Sequence, residues 1–308
     1  MIRISKEHVI HAHSPLDTPA AAVDPDTVVE FETYDCFQGQ MLPEEATYAT
    51  YDRSLANPAT GPLYVNGAEP GDTLKITIRK VEVGPVGILD AGGTRSGALS
   101  GCLSRNYLRR LPVHDGYIWY RDQIRIPVRP MIGVIGTAPA GEPVSTVVPM
   151  DHGGNMDCTK IAEGAILYLP VFVPGGLLAL GDLHAVMGEG EIGNCGVEIS
   201  GNVTVQVDLQ KQTCRPWPLL EDGTHWASIA YGETLDIASE KAVRQMYEYL
   251  HRECGLAEAD AGMLMEMAGD LITCQIVNPC KTVRFQVDRE ILGMFLAGKK
   301  QPYKQGLR

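Results

Sequence analysis

The stretch VEISGNVTVQVDL (197–209) decides the fold class of this chain. Within it, Val203, Val205 and Val207 alternate with polar residues. This period of two places the valines on one face of an extended strand and the polar side chains on the other. The stretch therefore predicts a β-strand with one buried face.

Similar strand-like segments run through the first two thirds of the chain and are separated by turn sequences. The strand-like segments are TLKITIRKVEV (73–83), STVVPM (145–150) and GAILYLPVFV (164–173). The turns are NPATGP (57–62), NGAEPGD (66–72), APAGEP (138–143) and VPGG (173–176). Many short strands joined by Gly/Pro turns are typical of a sandwich or barrel. We therefore expect a mainly β fold.

The pattern changes to helical spacing after about residue 235. The predicted elements are a helix in LDIASEKAVRQMYEYLHREC (235–254) capped by Gly255, a helix at 257–270, strands at 271–277 and 282–287, and a closing helix at 288–298. We expect residues 1–234 to form a mainly β portion that carries the site. Residues 235–308 should form a smaller α+β portion, packed against it as one compact unit.

Composition narrows the functional classes. With 26 Lys plus Arg and 38 Asp plus Glu, the formal net charge is -12, which argues against a nucleic-acid partner. No apolar run is long enough to span a membrane, and the first residues lack a secretory signal. The eight cysteines form no CxxC pair, so reduced thiols in a cytoplasmic protein are expected.

Polar residues gather in two stretches, PMDHGGNMDCTKI (149–161) and GDLHAVMGEGEIGNCGVEISG (181–201). Asp182 and His184 are two residues apart, so on an extended strand they share a face. The apolar segment between the stretches is long enough for a strand, a turn and a second strand. That connection would bring both polar stretches to one end of a sheet.

Together these stretches hold potential metal ligands. Asp and Glu beside glycines are commonly turn residues, and for either stretch alone that interpretation is favoured. The presence of both favours a functional site. Two imidazoles and several carboxylates would suit zinc or a similar divalent ion with a position left open for water. The candidate ligands are His152, Asp157, Asp182, His184, Glu191 and Glu198.

Six motifs in chain order resemble the acetamidase/formamidase family. They are FETYDCFQGQ (31–40), NPATGPLYVNGAEPGDTL (57–74), PMIGVIGTAPAGEP (130–143), HGGNMD (152–157), GDLHAVMGEGE (181–191) and QIVNPCKTVRF (275–285). The resemblance runs from about residue 20 to 290. It implies hydrolysis of a short aliphatic amide to a carboxylate and ammonia. It also implies jelly-roll-like β-sandwich sheets with a smaller α+β portion, and a divalent ion, zinc or calcium, with no organic cofactor.

Two segments depart from the family's pattern. Family members often carry a Gly-Thr-Gly-like run where this chain has GNCG (193–196), and the segment at 97–117 is idiosyncratic. Loops of this kind usually set substrate choice. The resemblance therefore leaves the particular amide open.

Amide hydrolysis needs an activated water, a stabilised oxyanion and a proton for the leaving amine. We expect His152, Asp157, Asp182 and His184 to form most of the metal site. The general base would then be Glu191 or Glu198. Asn155, with backbone N–H groups of the Gly-rich turns, would bind the substrate and its oxyanion; the turn residues are Gly153, Gly154 and Gly196. Asp35, in the first motif, is a further catalytic candidate.

Two alternatives remain open. The same scaffold could serve a hydrolase or lyase for another small C–N compound, such as a urea- or carbamate-like substrate. A calcium-stabilised β-sandwich binding module is the alternative from a different class, although calcium favours oxygen ligands over imidazole. Because edge strands of a sandwich are often covered by a partner subunit, we also expect a homodimer or larger homo-oligomer.

Overall fold

The computed structural model describes residues 1–91, 97–121 and 123–298, so the last ten residues of the α+β portion predicted at 235–308 lie outside it. The strands are β1 (Ile2–Ile4), β2 (Val9–Ile10), β3 (Ala12–His13), β4 (Ala21–Val23), β5 (Thr27–Thr33), β6 (Ala59–Val65), β7 (Thr73–Val83), β8 (Val86–Asp90), β9 (Leu108–His114), β10 (Tyr117–Tyr120), β11 (Ile124–Pro127), β12 (Met131–Gly136), β13 (Val144–Ser145), β14 (Gly153–Asn155), β15 (Ile166–Pro170), β16 (Leu178–His184), β17 (Glu198–Ile199), β18 (Gly201–Gln210), β19 (Leu219–Glu221), β20 (His225–Gly232), β21 (Gly269–Gln275) and β22 (Lys281–Asp288). The helices are α1 (Leu235–Glu248), a π-helical turn that continues it (Tyr249–Glu253), α2 (Glu258–Ala268) and α3 (Arg289–Gly298), and a 3₁₀ turn spans Arg53–Leu55.

Two large sheets make up the molecule. The first has nine strands in the order β1-β5-β18-β7-β15-β19-β20-β22-β21. The second has eleven strands, with the path β11-β10-β9-β8-β17-β16-β12-β14 and with β6 joining β16 to β2 and β4. A third, two-stranded sheet pairs β3 with β13. The prediction of a mainly β fold with few helices, near the carboxyl end, is confirmed.

The single strand predicted at 197–209 is interrupted at Ser200, which separates β17 in the second sheet from β18 in the first. The longer part, β18, contributes to the core between the two sheets. Val203, Val205 and Val207 of β18 are all fully buried. They share one apolar cluster with Leu180 and Leu183 of β16, which belongs to the other sheet. Burying each of these side chains contributes about 1.5–3 kcal/mol of hydrophobic free energy. The alternation read from the sequence therefore sets which face of the first sheet packs against the second.

The carboxyl-terminal helices cover the first sheet through a second apolar cluster. Val283, Phe285 and Val287 alternate along β22 and face the helices, with Met246 of α1 and Leu264 of α2 in the same cluster. The strands β21 and β22 extend the nine-stranded sheet by pairing with β20. The helical portion and the β portion therefore share one sheet. No helix within the described ranges is both long and apolar enough to cross a membrane.

The predicted strand at 145–150 is mostly wrong. Only Val144–Ser145 is extended, and the valines that follow fold back in a turn. Val147 N donates to Ser145 Oγ at 3.4 Å and Val148 N donates to Ser145 O at 3.0 Å. A local hydrogen bond from serine competes with strand pairing here, which the β-branched composition does not reveal.

Candidate active site

The strand β16 carries the centre of the site. On one side it pairs with β12, and on the other its partner changes along the strand. Gly181 lies opposite Ala59 of β6, whereas Leu183 lies opposite Ile199 of β17. Asp182 falls at this change of partner, where its backbone is left-handed with φ +56°. The unusual backbone of Asp182 therefore coincides with the point where β16 changes partner from β6 to β17.

Three acidic residues of the site share this unusual backbone conformation. Asp157 has φ +45°, Asp182 has φ +56° and Glu191 has φ +41°. A left-handed conformation is uncommon for residues other than glycine and costs about 1–2 kcal/mol. Such strain is found preferentially at functional sites, where the surrounding structure holds it in place.

The acidic side chains converge around one histidine to form what we call the acid cluster (Asp157, Asp182, His184, Glu191 and Glu198). His184 Nε2 is 3.1 Å from Glu198 Oε1 and 3.8 Å from Asp182 Oδ1. Every member of the cluster is buried. Asp157 of the first polar stretch therefore lies close to His184 and Glu191 of the second.

A glycine on the neighbouring strand makes room for this convergence. A Cβ at Gly133 of β12 would stand 2.6 Å from Asp157 Oδ1 and 2.6 Å from Asp182 Oδ2. Both distances are far below a van der Waals contact. Only glycine at this position allows the two carboxylates to approach each other across β12.

Burial dominates the electrostatics of the cluster. It raises the pKa of Glu198 to about 8 and, together with the charge of Asp182, the pKa of Asp157 to about 6. Burial also raises the pKa of Glu191 well above its usual range. For His184 burial opposes protonation, but Glu198 and Asp182 outweigh it and raise its pKa. Four buried carboxyl groups therefore require protons or a cation to offset their charge.

The donor set fits a divalent cation. Within the described part of the chain, Asp182 Oδ1, Glu191 Oε2 and Glu198 Oε2 are buried without a hydrogen-bond partner. Two groups of three side chains each offer ligand atoms that lie within 4.8 Å of one another. The first group is Asp157, His184 and Glu191, and the second is Cys36, Asp182 and Glu198. Unpartnered buried carboxylate oxygens next to an imidazole and a thiol are the chemistry of a zinc-type site.

Three asparagines hold the carboxylates from outside the cluster. Asn278 Nδ2 donates to Asp157 Oδ2 at 2.6 Å, and Asn57 Nδ2 donates to Asp182 Oδ2 at 3.1 Å. With its amide nitrogen turned towards the acids, Asn155 lies 3.1 Å from both Asp157 Oδ2 and Asp182 Oδ2. In this orientation its oxygen accepts from both other asparagines, so every polar atom of the amide is paired.

Three members of the acid cluster, Asp182, Glu191 and Glu198, line a cavity of about 280 Å³. The residues that line it are Cys36, Phe37, Tyr48, Tyr51, Arg53, Ala56, Asn57, Asn155, Asp182, Glu191, Asn194, Cys195, Glu198, Val277 and Asn278. The wall residues Cys36, Tyr48, Tyr51 and Arg53 come from one connection between β5 and β6. A concave pocket with several convergent polar groups is typical of a small-molecule site.

His152 lies apart from the acid cluster. Its carbonyl accepts from Thr137 N at 3.0 Å, whereas Asp182 faces Gly133. Thr137 is four positions after Gly133 along the chain, roughly 13 Å if the backbone is extended. The His152 ring instead contacts His13, with 5.0 Å between ring centroids. The closeness of His152 to Asp157 in the sequence suggested a metal ligand. The sequence did not show the turn that follows His152 and separates it from the acid cluster.

The three glycines predicted to bind substrate serve close packing. A Cβ at Gly153 would stand 2.3 Å from Ile135 O, and one at Gly154 would stand 2.4 Å from Val148 O. Both residues have positive φ, +100° and +84°. A Cβ at Gly196 would stand 2.6 Å from His184 Nδ1, so Gly196 lies against the cluster histidine and fixes its position.

Asp35 is buried, and its carboxylate accepts hydrogen bonds from the backbone of its own loop. Asp35 Oδ1 accepts from Phe37 N at 2.9 Å, and Asp35 Oδ2 accepts from Gly39 N at 3.1 Å. Its neighbour Cys36 is the residue that lines the cavity. Within the first motif, Cys36 lines the cavity, and Asp35 stabilises the backbone of the loop that carries Cys36.

Sequence reasoning missed Asn57, Asn278, Cys36 and the aromatic and basic residues of the wall. Both asparagines precede a proline inside motifs that carry the family resemblance, NPATGP and QIVNPCKTVRF. An Asn-Pro pair is ordinarily a turn signal. Only their occurrence within those motifs could have distinguished them.

Comparisons with known proteins agree with this fold. The acetamidase/formamidase family profile matches residues 5–145 and 140–221. The crystal structure of an acetamidase from Bacillus halodurans is 44% identical, with a TM-score of 0.92 over 96% of this chain and 99% of that one. A predicted acetamidase/formamidase from Thermoanaerobacter tengcongensis is 40% identical, with a TM-score of 0.92 over 96% and 97% of the two chains.

A curated relative is more distant and longer. The acetamidase of Mycolicibacterium smegmatis is 27% identical, and the match covers 63% of this chain and 64% of the relative. The chain therefore spans slightly less than two thirds of that protein. The profile match over most of the chain and the full-length structural likeness nevertheless lead to one conclusion: this chain belongs to the acetamidase/formamidase family.

Proposed function

We propose that this protein hydrolyses short aliphatic amides to a carboxylate and ammonia. The observation that carries the proposal is the buried acid cluster, three members of which line a small cavity. The names of the similar proteins, acetamidase and formamidase, support it. A site that must activate water and protonate a leaving amine needs carboxyl groups with shifted pKa values, and the cluster supplies them.

We further infer that the cluster holds a divalent cation, zinc by its ligand chemistry. Asp157, His184 and Glu191 would bind it, with Cys36 and Asp182 as further ligand candidates. An imidazole and a thiol favour zinc over calcium, which prefers oxygen ligands. When bound, such an ion would lower the pKa of a water molecule and polarise a carbonyl group. The same ligand set weakens the alternative of a calcium-stabilised binding module.

Glu198 is the general base in this scheme. Burial raises its pKa to about 8, so near neutral pH it can both accept and release a proton. It takes a proton from the attacking water as the C–O bond forms, and later passes that proton to the amide nitrogen as the C–N bond breaks. This transfer gives a carboxylic acid and ammonia, and the proton of the acid then passes to ammonia, which leaves a carboxylate and ammonium. His184, 3.1 Å away, orients the Glu198 carboxylate.

The asparagines act as positioning groups. Asn155 and its neighbours Asn57 and Asn278 surround the carboxylates of Asp157 and Asp182. Their hydrogen bonds hold both carboxylates in fixed positions within the acid cluster. The oxyanion role predicted for Asn155 would require its amide to leave these carboxylates when substrate binds, since its nitrogen is already paired.

The test is ammonia release from a panel of formamide, acetamide, propanamide, butanamide and urea. The protein would be assayed after chelation and after reloading with zinc, beside Glu198→Gln and the exposed control Glu240→Gln of α1. We expect turnover of amides that zinc restores and that Glu198→Gln lowers by 10²-fold or more. Failure to release ammonia from any amide would refute the function, and full turnover in metal-free protein would refute the metal.

A further inference from the structure

Arg53 is the one basic side chain among the described residues that line the cavity. It is exposed to solvent, and acids and amides line the same cavity. In the parts of the chain that the structure describes, Arg53 takes part in no ion pair with an acidic side chain. Because Arg53 forms no ion pair with the described carboxylates of this acidic protein, its guanidinium is available to bind an anionic ligand.

The neighbouring acid does not compete for this guanidinium. Asp52 Oδ1 accepts from Ser54 N at 3.0 Å and from Ser54 Oγ at 2.7 Å. Asp52 thereby caps the 3₁₀ turn on which Arg53 stands. The Asp52 carboxylate is thus hydrogen-bonded within the turn and forms no ion pair with Arg53.

The segment that carries Arg53, residues 36–57, is held in place by hydrogen bonds at several positions. Asn57 N donates to Cys36 O at 2.9 Å, which closes its two ends. Gln40 and Asp52 are joined by two hydrogen bonds, from Asp52 N to Gln40 Oε1 at 2.9 Å and from Gln40 Nε2 to Asp52 O at 3.3 Å. Arg110 Nε donates to Met41 O at 2.8 Å. The guanidinium is therefore presented on a preorganised wall.

The cavity is larger than the smallest amides need. A water molecule takes about 30 Å³ in the liquid, so the volume of about 280 Å³ accommodates roughly nine water-sized groups. Acetamide has four non-hydrogen atoms and would fill less than half of that space. Arg53 lines this cavity together with Asp182, Glu191 and Glu198, so it borders the space that acetamide leaves unfilled. A substrate with a longer tail and a second polar group fits this shape.

We propose that Arg53 binds a carboxylate on the substrate, so that the preferred substrates are monoamides of short dicarboxylic acids. This inference rests on the proposed amide hydrolysis. Arginine recognises a carboxylate through two parallel hydrogen bonds. The amide end reaches the acid cluster, where water replaces ammonia, while the carboxylate end stays at Arg53. The products are a short dicarboxylate and ammonium.

The experiment compares matched pairs of amides with and without the carboxylate. Malonamate, succinamate and glutaramate are assayed against acetamide, propanamide and butanamide, with wild type, Arg53→Gln, Arg53→Lys and the exposed control Arg244→Gln of α1. We expect wild type to favour at least one of the amido acids. Arg53→Gln should raise KM for that substrate tenfold or more with kcat unchanged, because the contact is remote from the reacting atoms. Neutral amides should be unaffected.

The Arg53→Lys variant tests whether the charge alone or also the planar guanidinium is needed. A binding measurement tests the anion site independently of amide hydrolysis. The Lys variant keeps the charge but loses the planar fork, so its KM should fall between wild type and Arg53→Gln. Succinamate binding is measured by calorimetry with each protein. Loss of binding in Arg53→Gln alone supports the anion site even if no amide is hydrolysed. Equal succinamate KM and binding in wild type and Arg53→Gln would overturn the inference while leaving hydrolysis of neutral amides intact.

Discussion

Gly133 lies between two acids of the cluster, and its missing side chain has a measurable consequence. A Cβ there would meet Asp157 Oδ1 and Asp182 Oδ2, each at 2.6 Å. Gly133→Ala should therefore push the carboxylates apart, destabilise the protein by about 1–3 kcal/mol and abolish zinc binding and turnover. Chemical denaturation, metal analysis and ammonia release would measure the three effects.

A glycine in open space provides the matched control for this substitution. A Cβ at Gly141 would meet nothing within 4 Å, so Gly141→Ala adds the same methyl group without displacing a neighbour. It should leave stability within about 0.5 kcal/mol of wild type and leave turnover unchanged. Normal zinc content and activity in Gly133→Ala would show that the two acids do not need their present separation.

For individual residues, the sequence predicted correctly which site residues lie together when those residues are close along the chain. Asp182 and His184 share a face of β16, and period two is enough to show it. Asn57 and Asn278 reach the same site from far along the chain, and each looks like an ordinary turn asparagine. His152 has the right chemistry and lies near Asp157 in sequence, yet two positive-φ glycines follow it and it ends beside His13.

At the scale of elements, the turn between β19 and β20 depends on one carboxylate. Asp222 Oδ1 accepts from Thr224 N at 2.9 Å and His225 N at 2.7 Å, and Asp222 Oδ2 accepts from Lys160 Nζ at 2.7 Å. Asp222→Asn should lower the free energy of unfolding at pH 7 by about 1–2 kcal/mol. Urea denaturation of the variant and of the exposed control Asp270→Asn would measure it.

The pH dependence of this effect has a definite sign. Burial opposes the charged form, but hydrogen bonds from Lys160, Thr224 and His225 outweigh it and lower the pKa of Asp222. The stabilisation is therefore complete above the unfolded pKa of about 4 and is lost as pH falls through the lower folded pKa. The difference between wild type and Asp222→Asn should shrink below about pH 4. A difference that grows on acidification would contradict this account.

Elements were predicted well where a periodic pattern is long. Most of the alternating stretch 197–209 forms β18, and the helical spacing after 235 forms α1 and the π-helical turn that continues it to Glu253. The predicted cap Gly255 follows this turn with φ +68°. The segment 145–150 failed because six residues carry little periodicity and Ser145 forms a turn instead. The pairing of β21 and β22 with the amino-terminal sheet followed from no local pattern, since it depends on contacts between distant segments.

At the scale of the whole molecule, one exposed sheet edge points to self-association. All four residues of β11 are exposed, with Ile124 at 48% and Ile126 at 40%. The strand ends the eleven-stranded sheet and carries apolar side chains that a partner would cover. We expect a homodimer through this edge, converted to monomer by Ile124→Lys but not by Met294→Lys on α3. Light scattering would show it, and a monomeric wild type would refute it.

The acid cluster also links stability of the whole protein to pH and metal. Burial raises the pKa of Glu198 to about 8 and that of Asp157 to about 6, whereas in the unfolded chain both groups ionise near pH 4. The folded metal-free protein therefore binds more protons than the unfolded chain between about pH 4 and pH 8. Its stability should fall as pH rises through this window.

A bound cation would reverse that trend, because it offsets the carboxylate charge without protons. Zinc binding only to the folded state adds stability in proportion to its affinity, about 4 kcal/mol at a thousandfold excess over Kd. That affinity grows as the competing protons leave. The gap in Tm between zinc-loaded and chelated protein should therefore widen from pH 5 to pH 8.5, and the pH dependence of the chelated protein should weaken in Glu198→Gln. A chelated protein with the same Tm across this range would mean that the four carboxyl groups are compensated by something other than protons or metal.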